Sequence, residues 1–163
     1  DENRIGSILP LAMEYGTGLI ALTMSERGMP HTASDRFALA AALVQQVRAR
    51  GFKPERLYID PLIRPVSTEP EQAREFLKAI PLIKQLEGVR TVCGLSNVSF
   101  GLPRRNVINA TFLAMALHAG LDAAILDPTD SAVAPTLRAA DALLGADEYC
   151  GEYIKAFRAG KLS

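Results

Sequence analysis

The chain has 163 residues, and its 18 Lys and Arg balance 18 Asp and Glu, so the net charge is zero. That length suits one domain with a sizeable core, and the lack of a basic excess argues against a nucleic-acid binder, because phosphate backbones are held by cations. No apolar run is long enough to span a bilayer, the opening "DENRIGSILP" lacks the basic-then-apolar order of a signal peptide, and two scattered cysteines, Cys93 and Cys150, with two histidines suit neither a zinc cluster nor a disulfide framework.

Such cysteine usage fits a reducing cytoplasm. The first residue is Asp1 rather than Met, and the opening reads as a helix start, which suggests a fragment that begins inside a larger domain. Helical spacing runs over about 3–15 through Ile5, Ile8, Leu9, Ala12 and Met13, with Gly16 as a stop. "GLIALTM", Gly18 to Met24, is a short continuous apolar run, the pattern of a strand buried on both faces. After a polar loop, Ser34 or Asp35 can cap a helix whose stripe is Phe37, Ala40, Ala41, Val44 and Val47, and Gly51 ends it. The second strand is Leu57 to Ile59, ending at Asp60-Pro61. A Pro-rich loop to about Pro70 leads into a helix over about 71–86, with a kink expected at Pro81. The third strand is Thr91 to Leu95. Its helix, Arg105 to Ala119, carries Ile108, Phe112, Met115 and Ala116 on one side and stops at Gly120. The fourth strand is Asp122 to Leu126, and helices over about 131–144 and 147–159 follow.

Four strand–helix units with the longer loops after the strands predict a parallel α/β protein. Right-handed crossovers allow either an open doubly wound sheet or part of a closed barrel. Neither GxGxxG nor GxxxxGK[ST] follows any strand, so both nucleotide fingerprints are missing.

In either architecture the C-terminal strand ends build the site. The first strand delivers Thr23, Met24 and Ser25 there, the second Asp60, the third Ser96, Asn97 and Ser99, and the fourth Asp127, with Arg105 at a nearby helix start. Each also has a purely structural reading. Asp-Pro after a strand is often an Asx turn, Asn97 can satisfy loop backbone groups, and Arg104-Arg105 can be a solvated helix start. His31 reads as a loop residue, His118 as a helix-surface residue and Cys93 as a small core residue. There is no Ser-His-Asp set, metal cluster or strand-end Lys, so covalent catalysis and metal hydrolysis lose support. One carboxylate with amides suits a flat heterocycle such as a pterin or guanine, whose adjacent N–H donors a carboxylate accepts as a fork. An amide both donates and accepts, which is useful beside a ring nitrogen whose protonation changes.

The stretch "GLSNVSFGLPRRNVINATFLAMALHAGLDAAILDP", with "LYIDPLI" upstream, resembles methyltetrahydrofolate:corrinoid/iron-sulfur protein methyltransferases, and more distantly the pterin-binding domain of methionine synthase and dihydropteroate synthase. The resemblance extends over essentially the whole chain. It implies the C-terminal half of a TIM (β/α)8 barrel, a single pterin-binding domain over 1–163 truncated by about a hundred residues at its N-terminus. It further implies a cytoplasmic homodimer that moves the N5-methyl of methyltetrahydrofolate to the Co(I) cobalamin of a partner corrinoid protein. By position, Asp60 resembles the aspartate that holds the pyrimidine side of the pterin, and Asn97 the mobile asparagine that hydrogen-bonds to N5. Gly94 and Ser96 line the same strand end, and Arg105 resembles an arginine at the pterin or benzoate side. The family's other pterin-contacting Asp and Asn, from earlier strands, are not in this chain. A dihydropteroate synthase-like enzyme would want a Lys near the site, and the third strand ends in SNVS without one. A catalytically incomplete fragment or binding module is the other alternative, with open sheet edges and an exposed apolar seam.

Overall fold

The structure is a computed structural model that describes residues 2–26 and 28–162. Helix α1 (Glu2–Glu14) leads into strand β1 (Leu19–Leu22), followed by α2 (Ala33–Ala49), β2 (Leu57–Asp60), α3 (Gln72–Ile83), β3 (Arg90–Gly94), α4 (Arg105–His118), β4 (Ala123–Ile125), α5 (Val133–Leu143) and α6 (Gly151–Arg158). All strand pairs are parallel, in the order β1-β2-β3-β4. Leu22 pairs with Asp60 and Gly94 with Ile125, so β1 ends level with β2 and β3 with β4, while β3 runs past the end of β2 because Ile59 pairs with Thr91.

The strand order decides between the two architectures left open by the sequence. A doubly wound sheet reverses direction midway and carries helices on both faces. Here the order is sequential and the two apolar clusters lie on the helix-covered side, one joining α1, α2 and α3 to β1 and β2, the other joining α3, α4 and α5 to β3. This is an arc of a (β/α)8 barrel. The opposite face is uncovered at the margins, where Ile20 on β1 and Ile125 on β4 are 53% and 58% exposed. The expectation that the first strand is buried on both faces is therefore wrong. Its residues alternate between half-buried and exposed because helices cover one face alone.

Local chemistry explains other departures. Helix α2 starts one residue before Ser34, because Thr32 is its cap. The Thr32 hydroxyl accepts the Asp35 N–H, and the Asp35 carboxylate accepts from the Thr32 N–H and hydroxyl, which completes a capping box. Asp35 is thus the third helical residue and not the cap. On α4 the buried residues are Phe112, Leu113 and Ala116, while Met115 is half exposed. The final helix expected over 147–159 is two pieces, because Tyr149 and Cys150 adopt left-handed backbone with φ of 53° and 57°. Helix α3 runs through Pro81. Among the described residues no helix is long and apolar enough to cross a membrane.

Candidate functional site

Apolar pairing carries β2 and β3 side by side to the C-terminal face, and there the chain turns polar. Asp60 is the last residue of β2 and is 8% exposed. Its carbonyl accepts from the Thr23 N–H (3.0 Å) and the Thr23 hydroxyl (3.2 Å), which ties the end of β1 to β2. Its carboxylate accepts the Leu62 N–H at 2.8 Å, and the Gly94 N–H on the neighbouring strand lies near enough to favour its ionised form. Burial pushes the Asp60 carboxyl above the usual range, and the two N–H donors oppose this. A shielded carboxylate of this kind binds a fork of N–H donors more strongly than an exposed one, because water competes less.

Beyond Gly94, β3 winds into one turn of 3-10 helix, Leu95–Ser99, which replaces the last residue of the strand expected to reach Leu95. Leu95 and Val98 point into the core, while Ser96 and Asn97 are exposed. The Asn97 amide lies back over Gly94, so a Cβ built on Gly94 would stand 3.1 Å from Asn97 Nδ2. Asp60 and Asn97 therefore meet at the same glycine, the carboxylate near its N–H and the amide beside the place a Cβ would take.

The turn is pinned from α4. The Ser99 hydroxyl donates to Asn109 Oδ1 at 2.7 Å, and Arg105 donates through Nε to the Ser99 hydroxyl (3.0 Å) and through Nη2 to the Ser96 carbonyl (2.7 Å). The same guanidinium lies 6.0 Å from the ring centre of the exposed Phe100. Arg105 thus holds the SNVS turn and stands at the rim of the strand-end face. The loop before α3 closes on the same turn: Val66 N–H donates to the Val98 carbonyl and the Ser67 hydroxyl to the Phe100 carbonyl.

The remaining candidates fall elsewhere. Asp127 is exposed and its carboxylate accepts the Thr129 hydroxyl (2.6 Å) and N–H (2.8 Å), which holds it below the usual carboxylate range within an Asx turn. Cys93 is fully buried on β3, and burial followed by the Asp60 charge pushes its thiol up to about 12, the behaviour of a core residue. His118 ends α4 on the surface, and His31 faces Glu69 in the loops (3.5 Å). Two participants carry no direct sequence motif: Asn109, and Arg36, whose guanidinium donates to the Pro61 and Leu62 carbonyls beside Asp60. Arg36 left a signal, because it falls at helical spacing within the buried stripe of Ala33, Ala40, Val44 and Val47, where a charge is out of place.

With this geometry established, residues 2–127 match the family described as pterin binding enzyme. Methylcorrinoid:tetrahydrofolate methyltransferase of Eubacterium limosum is 34% identical over 163 residues, which cover 98% of this chain and 60% of that protein. Methionine synthase of Mycobacterium tuberculosis is 34% identical over 133 residues, 77% of this chain and 11% of that protein, and the Mycobacterium leprae protein is 33% identical over the same shares. The chain thus spans 60% of the first of these relatives and a small part of the other two.

Proposed function

The chain belongs to the pterin binding enzyme family, and on that premise we propose that it forms part of an enzyme that moves a methyl group between N5 of a tetrahydrofolate and the cobalt of a corrinoid. The observation that carries the reading is the meeting of the Asp60 carboxylate and the Asn97 amide at Gly94. In this proposal Asp60 accepts the adjacent N–H donors on the pyrimidine edge of the pterin. Gly94 leaves room for the ring, Ser96 and Arg105 line its far side, and Asn97 reaches N5.

The chemistry needs little more from the protein. Methyl leaves N5 in a displacement by Co(I), and a tertiary amine is a poor leaving group because its departing form is an anion. When N5 gains a proton in the same step, the products are a neutral N5–H and methyl-Co(III), and the electron pair of the broken C–N bond stays on nitrogen. The Asn97 amide can donate to unprotonated N5 and accept from N5–H, so it follows the change without exchanging its own protons. A contact that strengthens as charge develops contributes to rate rather than to ground-state binding, and one such donor is worth about 2–4 kcal/mol.

The name of the Eubacterium limosum protein writes the methylcorrinoid as donor and tetrahydrofolate as acceptor. By microscopic reversibility the same N5 contact serves both directions. The direction read from the sequence is from methyltetrahydrofolate to Co(I), with the corrinoid on a separate partner protein and the methyltransferase as a homodimer. The test is to mix the full-length protein with methyltetrahydrofolate and cob(I)alamin and follow the cobalt spectrum. Appearance of methylcobalamin supports the proposal. No spectral change with the protein folded and folate bound would remove it.

A further inference from the structure

We infer that Arg36 is a positioning residue that sets the direction of the Asp60 carboxylate by clamping the turn that follows β2. Its side chain is 0% exposed, although buried charges normally require a partner. Its four bonds run to the Pro61 carbonyl (Nε, 2.7 Å), the Leu62 carbonyl (Nη2, 3.2 Å), the His31 carbonyl (Nη1, 3.0 Å) and Gln72 Oε1 (Nη2, 2.6 Å). None of these is a carboxylate. A fully buried guanidinium with two of its four bonds on the carbonyls of one tight turn marks that turn as a place where geometry is held against a cost.

The cost is visible at Leu62, which has φ of 60°. A branched apolar residue in left-handed backbone is unfavourable, because its Cβ crowds the following carbonyl oxygen. In that conformation the Leu62 N–H points back at Asp60 Oδ1, at 2.8 Å. Arg36 holds the carbonyls on both sides of the Leu62 nitrogen, and so keeps the N–H on the carboxylate. Gln72, 4% exposed, in turn holds Arg36. The titratable and charged groups around the turn are Cys93 on β3, Glu75 on α3, Asp35 on α2, Arg64 and Glu69 in the loop before α3, and His31 against Glu69.

The inference rests on the pterin reading of Asp60 for its functional consequence alone, and the two are separable. In full-length Arg36→Lys the charge stays but the fork is lost. The carboxyl carbon of Asp60, followed by carbon-13 NMR across pH, should titrate at higher pH than in the wild type, because the Leu62 N–H no longer favours the ionised form. Adding Leu62→Gly, which takes positive φ freely, should return the titration toward the wild-type value, a rescue that general loss of packing would not give. Where Arg36→Lys does not fold, Gln72→Ala carries the same test with a smaller shift. An Asp60 titration unchanged in the folded variant overturns the inference. Folate affinity of Arg36→Lys should fall about tenfold, as for one misdirected charge-assisted bond, with the rate at saturating folate retained. A shifted Asp60 titration with unchanged folate affinity would keep Arg36 in its role and remove Asp60 from the pterin.

Discussion

Replacing Gly94 by Ala is the sharpest way to disturb the site without touching its polar groups. Gly94 has φ of −76° and ψ of 90°, which alanine adopts without strain. Removing a glycine from a strand end at a compatible conformation stabilises a fold by about 0.4–1 kcal/mol, since the unfolded chain has less freedom to lose. The Gly94 N–H, which favours the ionised Asp60 carboxylate, is kept. The new methyl, however, stands 3.1 Å from Asn97 Nδ2, inside the 3.4–4 Å of ordinary contact, so the amide must give by a few tenths of an ångström. A misplacement of about 1 Å costs on the order of a hundredfold in rate, so a displacement of this size should cost roughly three- to tenfold. The assay pairs a thermal melt with single-turnover methyl transfer. The expected result is a melting temperature equal to or above the wild type together with the slower rate. Full rate in Gly94→Ala would refute the placement of Asn97 over Gly94 as a functional contact, and a collapsed melting temperature would refute the packing argument.

Asp60→Asn should lower folate affinity at least tenfold, because an amide cannot accept a fork of N–H donors and the charge-assisted bonds are lost; a titration with unchanged affinity would remove the pterin-edge role. The same carboxyl, raised by burial, binds its proton more tightly folded than unfolded, so its contribution to stability falls as pH rises from the ordinary aspartate range through the raised folded value. Folate affinity moves the other way, weakening as pH falls through that raised value, and a flat affinity profile there would contradict the assignment. Native alkylation followed by peptide mapping should label the exposed Cys150 and spare Cys93, whose thiol is buried and pushed up to about 12; rapid labelling of Cys93 in folded protein would show that the strand is open.

The sequence was most readable where apolar period and punctuation agree. Four strand–helix units, and the strand end at Asp60, follow from short apolar runs closed by Asp-Pro and by SNVS, while the third strand stops at Gly94, one residue short of the Leu95 expected. What it left open depends on contacts distant along the chain. Barrel arc and doubly wound sheet share the same local units, and strand order alone separates them. The exposed face of β1 is not legible in its sequence, because a run of apolar residues says nothing of what covers it. The Thr32 cap is a local exception: it is marked only by the reciprocal contact with Asp35 three residues on, while the neighbouring Ser34 and Asp35 are themselves good capping residues. At the site, the SNVS turn was identified as polar, but its pin through Ser99, Asn109 and Arg105 joins residues up to ten apart. Arg36 lies further still, 25 residues from the carbonyl it holds, and only the mismatch of a charge within an apolar stripe betrayed it.

The central claim is that the Asn97 amide acts on N5 in the transition state. Its most direct test is single-turnover methyl transfer between methyltetrahydrofolate and cob(I)alamin in full-length Asn97→Ala, with folate affinity measured on the same sample. The expected result is a rate lower by roughly 10²–10³-fold with folate affinity within a few-fold of wild type. An unchanged rate, or a loss confined to folate affinity, would contradict it.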